Sequence, residues 1–255
     1  MSAYNWQKIV YPNSTNLGLS ALLYSPKPAA GTVIIVCHGF TGSKEGGGRA
    51  LTMAEELGSR GYSTLLFDFS GCGESEGEFA DLTLTRHIDD LKTSVVYCRN
   101  LGFQRILTMG RSFGGTTAIC LGRAGGEVAG VCTWAAPGAL GDLFVPLRRQ
   151  SADPSYALLK LEDEDDALQI KKSFLTDLDN YDVFGRAGQI SPSPFLIIHG
   201  VKDEVVPEKN ARLIYQSAGE PKRLALIKDG DHQFTGCHQE VWKKYFAWLA
   251  EFFPV

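Results

Sequence analysis

The chain has little that would tie it to a polyanion, a membrane or a metal. Its 25 Lys and Arg are outnumbered by 29 Asp and Glu, the net charge is -4, and no Lys/Arg-rich run occurs. A face for nucleic acid is therefore not expected. No apolar stretch approaches the roughly 18 residues that a membrane span needs. The opening segment MSAYNWQKIVYPNS has no basic stretch followed by an apolar one. No secretory leader is expected, and the expected location is the cytoplasm. There is no H-E-x-x-H and no Cys/His cluster at ligand spacing, so no metal is expected. None of the six cysteines (Cys37, Cys72, Cys98, Cys120, Cys132 and Cys237) forms a C-x-x-C pair. They read as reduced core thiols. Gly46-Gly47-Gly48 lacks the Lys-Ser tail of a phosphate-binding loop and reads as the entry to a helix. Internal repeats and low-complexity tracts are also absent.

What is present is the profile of a globular protein: 255 residues, 44% hydrophobic and 21% charged. Short continuous apolar runs recur at Gly31–Cys37, Thr64–Asp68, Arg105–Met109, Val128–Trp134, Phe195–His199 and Arg223–Ile227. Runs rich in Val, Ile, Leu and Phe suit parallel strands covered on both faces. Between them, Gly48–Arg60, Leu82–Leu101, Ser112–Arg123, Glu208–Gly219 and Glu240–Phe253 have helical period. The alternation predicts an α/β fold with a mostly parallel, doubly wound sheet. Gln7–Tyr24 would add an antiparallel hairpin at one edge. From 138 to 189 no strand-like run is seen, and a plain loop of that length is uncommon in a compact domain. Residues 138–189 are expected to form a small helical cap inserted after the sixth strand, and 1–137 with 190–255 the core. The acidic cluster Glu162–Asp166 reads as a solvated face.

Three glycines and a serine interrupt the chain where a strand hands over to a helix, at Gly110-Arg111-Ser112-Phe113-Gly114-Gly115. Glycine is poor in both elements, so the junction itself must need it. G-x-S-x-G between a strand and a helix is the setting in which a sharp turn lifts a serine hydroxyl above a sheet, at a helix N-terminus that favours negative charge. A serine hydroxyl is a weak nucleophile and needs a base, and the base needs an orienting carboxylate. GVKDEVVP puts Asp203 in the loop after one late strand, and GDHQF puts His232 in the loop after the next. Active residues of open α/β sheets collect outside such strand ends. Among the other histidines, His38 belongs to the loop after the Gly31–Cys37 strand, His87 to a helix, His199 to a strand end and His238 to the start of the last helix. Glu204, Asp229 and Asp231 compete with Asp203 for the carboxylate role. His38-Gly39-Phe40 would aim the Phe40 amide at the nucleophile, with the Phe113 amide as second donor to an oxyanion.

HGF, DFSGCGESEG, GRSFGG, GVKDEVVP and GDHQF occur in order along nearly the whole chain. Together they resemble the α/β-hydrolase superfamily, whose triad order is Ser, Asp, His. Within it the layout is similar to the bacterial cinnamoyl/feruloyl esterases, which carry a helical insertion at the same place. The resemblance implies a serine esterase with Ser112, Asp203 and His232 as triad, no cofactor, and a small-molecule ester as partner, of short-to-medium acyl or hydroxycinnamoyl type. A homodimer is compatible with it. Phe144, Tyr156 and Phe174 are the cap candidates for substrate contact, with Leu158 and Leu159 near them. A thioesterase, a monoacylglycerol lipase-like enzyme, a peptidase and a non-catalytic ligand-binding member share the same layout. Arg111 departs from the family, which often has His or an apolar residue beside the nucleophile.

Overall fold

A computed structural model describes residues 4–26, 31–122, 128–154, 157–161 and 168–255. Its first two strands, β1 (Tyr4–Pro12) and β2 (Gly18–Pro26), form the expected edge hairpin, paired antiparallel from Tyr4↔Pro26 to Pro12↔Gly18. The chain then alternates: β3 (Thr32–Cys37), α1 (Arg49–Ser59), β4 (Ser63–Phe67), α2 (Leu84–Asn100), β5 (Arg105–Arg111), α3 (Phe113–Leu121) and β6 (Gly130–Trp134). Every residue of β3, β4 and β6 is buried, as strands covered on both faces require. Thr83 caps α2 by accepting a hydrogen bond from the Arg86 amide at 3.1 Å.

Residues following β6 depart from the sheet. They form α4 (Leu140–Leu143), α5 (Val145–Ser151), β7 (Leu158–Lys160), β8 (Gln169–Lys171), α6 (Ser173–Leu178) and α7 (Val183–Gly188). This insertion is not wholly helical, in contrast to the sequence-based expectation. β7 and β8 pair antiparallel, with Leu158 opposite Lys171. Three-residue strands are too short to show a period, and only their central residues, Leu159 and Ile170, are fully buried. The pair is anchored to the core by a Lys171–Asp81 ion pair. α6 is tied to α2 through Thr85 and Asp177. Tyr156 and the Glu162–Asp166 cluster lie outside the described residues.

The chain returns to the sheet as β9 (Phe195–Gly200), α8 (Lys209–Ser217), β10 (Lys222–Ile227) and α9 (His238–Phe252). The eight-stranded sheet runs β1-β2-β4-β3-β5-β6-β9-β10. It is parallel from β4 to β10, with β2 antiparallel to β4. Alternate side chains feed two cores. Val33, Ile35 and Phe67 pack toward α2, α3 and the insertion, while Ile34, Val36 and Leu66 pack toward α1 and α9. After β3 the strand order steps one way to β4 and the other way to β5. The crevice at such a switch point, outside the strand ends, is where this architecture places ligands. Among the described residues no helix is long and apolar enough to cross a membrane.

Candidate active site

The turn from β5 to α3 is as tight as its glycines imply. A Cβ on Gly110 would overlap the Gly114 carbonyl, and one on Gly114 would overlap the carbonyls of Cys37 and His38. The second clash shows what Gly114 does: α3 can press its first turn onto the end of β3. Ser112 itself takes φ 51 and ψ -125, a conformation that costs a non-glycine residue about 1–3 kcal/mol. Its amide donates to the Trp134 carbonyl at 2.8 Å, which fixes the strained residue to β6. The side chain is left half-buried at the N-terminus of α3.

Around the Ser112 hydroxyl, the structure brings together the three residues expected from the sequence. His232 Nε2 is 3.2 Å from Ser112 Oγ, and His232 Nδ1 is 2.8 Å from Asp203 Oδ2. Asp203 Oδ1 accepts from the amides of Val205 and Val206 at 3.0 and 2.8 Å. Burial pushes the Asp203 carboxyl up, but hydrogen bonds from His199, His232 and the Val206 amide outweigh it and hold the group well below the usual carboxylate range. Asp203 is therefore charged and accepting. The His232 proton facing it sits on Nδ1, and Nε2 is free to accept from Ser112.

The competing carboxylates are elsewhere. Glu204 is exposed, Asp229 pairs with Lys202 at 2.7 Å, and Asp231 accepts from the Thr235 amide at 2.8 Å. Of the other histidines, His87 lies fully buried in α2, stacked on Phe69 at 3.9 Å. His238 opens α9.

His38 is locked into the loop after β3. Its Nδ1 donates to the Gly39 carbonyl at 2.7 Å, and its Nε2 accepts from the Phe69 amide at 3.1 Å. Burial pushes its pKa down, consistent with a neutral ring used as a brace. Asp68 takes the amides of Lys44 and Glu74 at 2.6 and 2.9 Å. It also pairs with the Lys44 ammonium at 2.7 Å, which reaches Glu74 at 2.6 Å. Burial pulls the Lys44 pKa down, but Asp68 and Glu74 hold it above its usual value. The loop carrying Phe40 is thus pinned to the loop after β4. No hydrogen bond engages the Phe40 or Phe113 amide among the described residues.

Two supporting residues had no clear signal in the sequence. Arg111 Nη2 donates to the His232 carbonyl at 3.1 Å and to Gln233 Oε1 at 2.6 Å, bracing the loop that carries His232. His199, fully buried, donates from Nε2 to the Val206 carbonyl at 2.8 Å and lies 3.3 Å from Asp203 Oδ2. Both act across long chain separations or through a backbone carbonyl, which a motif does not record.

The cap candidates Phe144 and Phe174 are 7% and 0% exposed, and their rings meet at 4.9 Å. Each packs on both Phe40 and Phe113 at 5.2–6.0 Å. With the Phe40 and Phe113 rings they form a packed aromatic floor.

A family model for the alpha/beta hydrolase fold matches residues 32–133. The uncharacterized protein YfhR of Escherichia coli O157:H7 is 26% identical over 229 residues, spanning 86% of this chain and 70% of that protein. Est1E from Butyrivibrio proteoclasticus, solved with ferulic acid bound, superposes with a TM-score of 0.82 at 22% identity, covering 96% of this chain and 98% of that one. The alpha/beta hydrolase GrgF from Penicillium sp. sh18 superposes at 0.84 with 17% identity, covering 98% and 100%. In the family match, the sheet order and the three-dimensional likeness alike, the chain is a protein of the alpha/beta hydrolase fold.

Proposed function

We propose that the chain is a serine esterase that cleaves carboxylic esters through an acyl-serine intermediate. The observation that carries this reading is the unbroken line of contacts from Ser112 Oγ through His232 to Asp203. His232 Nε2 takes the Ser112 proton as Oγ attacks the ester carbonyl. The oxyanion that forms is held by the Phe40 and Phe113 amides, two fixed donors together worth several kcal/mol, about 3 each, in the transition state. His232 then returns the proton to the leaving alcohol. Water, activated by the same ring, attacks the acyl-serine and releases the acid. Asp203 keeps the imidazole in the required tautomer and stabilises the imidazolium. Every step uses side chains and amides of this chain.

Short-to-medium acyl or hydroxycinnamoyl esters are the proposed substrates. The likeness to Est1E, whose structure holds ferulic acid, supports that choice. Hydrolysis of p-nitrophenyl acetate, butyrate and octanoate and of methyl ferulate tests it. Wild type should turn over at least one series, and Ser112→Ala should lose about 10⁴-fold or more in kcat. No turnover by wild type of any of the four, with no labelling by a fluorophosphonate, would replace the esterase by a ligand-binding protein. Because Asp203 is held low, it stays charged across the acidic range of the assay. The rate should fall toward acid as His232 gains the proton that blocks it as a base. A kcat/KM flat from about pH 8 to about pH 4 would remove His232 from that role.

A further inference from the structure

On the α1/α9 side of the Ser112 turn lies a cavity of about 130 Å³. One water needs about 10–15 Å³ and a whole drug-sized ligand about 300–1,000 Å³. The space therefore takes part of a substrate. It borders the site directly: Gly39, Arg111 and Gln233, chain neighbours of Phe40, Ser112 and His232, all line it. A Cβ placed on Gly39 would lie 3.5 Å from the Ser112 Cβ. Ser112, His232, Asp203, Phe40 and Phe113 are not part of its wall, so the cavity is a neighbour of the triad.

Its lining joins two chemistries. Met53, Met109, Trp134, Phe234 and Trp242 give apolar walls, and Arg49 and Arg111 give a cationic rim, with the His238 ring beside them. No Asp or Glu lines it among the described residues. Lys44 also faces it, but its charge is met by Asp68 and Glu74. Arg111 uses Nη2 on the His232 loop, and the Arg49 side chain has no ion pair or hydrogen bond among the described residues. The two arginines act on each other and on His238, whose ring they hold neutral. Burial and then Arg49 pull Arg111 below its usual value, and burial, Arg49 and Arg111 do the same to His238. Asp203 and Asp231 oppose this in part on Arg111, and Asp231 on His238, but neither carboxylate lines the cavity or forms an ion pair with Arg49 or Arg111. Like charges gathered around an apolar space, in a chain of net charge -4, are relieved by an anion with an apolar stem.

We propose that this cavity is a subsite for the carboxylate-bearing apolar arm of the ester substrate. The assignment rests on the esterase reading above for its substrate, and on the cavity alone for its anion. Two matched pairs of esters test it and separate the two ends of the substrate. Mono-p-nitrophenyl glutarate against p-nitrophenyl valerate puts the carboxylate on the acyl side. 4-Acetoxybenzoate against 4-acetoxybenzamide puts it on the alcohol side. One pair should show kcat/KM about fivefold higher for the anion, the size of one exposed charge pair. That ratio should fall to about one in Arg49→Gln and below one in Arg49→Glu. No preference in either pair, or a preference unchanged in Arg49→Glu, overturns the subsite. Calorimetry with hexanoate, and hexanamide as control, reads the subsite without turnover. Hexanoate binding that Arg49→Glu abolishes, in a protein that cleaves no ester, keeps the subsite and removes the esterase. Ester turnover with neither charge preference nor hexanoate binding does the reverse.

Discussion

The two sides of the Ser112 turn are built from opposite materials. Toward α2 and the insertion, Phe40, Phe79, Phe113, Phe144 and Phe174 fill the space ring against ring. Toward α1 and α9, the chain leaves a cavity with apolar walls and a rim of Arg49, Arg111 and His238. The filled side holds the Phe40 and Phe113 amides still, because both residues are anchored by their own rings. The open side leaves room for substrate next to the base. Rigid support and access are therefore supplied from different faces of one sheet, which the switch point between β3, β4 and β5 permits.

Substitutions can break this division in order of expected effect. Asp203→Asn keeps the shape but lets the imidazole take the wrong tautomer, and kcat should fall about 10³–10⁴-fold. Retention of more than a tenth of the rate would show that the carboxylate does not orient His232. Phe174→Ala empties the filled side and should cost about 3–5 kcal/mol in urea unfolding. It should also lower kcat, since the support under Phe40 and Phe113 is lost. Unchanged stability would mean the rings are not a packed floor. Arg111→Gln releases the His232 loop from its brace and should lower kcat about tenfold with little change in stability. An unaltered kcat would make Arg111 a residue of the cavity alone.

Much of this was legible in the sequence because it is local. GRSFGG fixes a turn between a strand and a helix that it also terminates, and Asp203 and His232 follow strands whose apolar runs are continuous. The parallel strands and the edge hairpin are found where those runs predict them, within a few residues. What the sequence hides is made by distant residues. β7 and β8 each have only one fully buried residue, Leu159 and Ile170, and their pairing depends on cover from the core. The aromatic floor joins Phe40 to Phe174, and the cavity rim joins Arg49, Arg111 and His238, none of which is periodic with the others. Lys44 looks like a surface lysine in SKEGG, yet its side chain is 1% exposed, because Asp68 and Glu74 meet it. Burial of a charge is decided by its partner, and the partner is in another loop.

The most direct test of the account is the mass of the protein during the burst with p-nitrophenyl butyrate, followed by peptide mapping. The account predicts one butyryl adduct, carried on Ser112 and absent from Ser112→Ala. An adduct on another residue, such as the half-buried Cys237, or turnover that persists in Ser112→Ala, would contradict it.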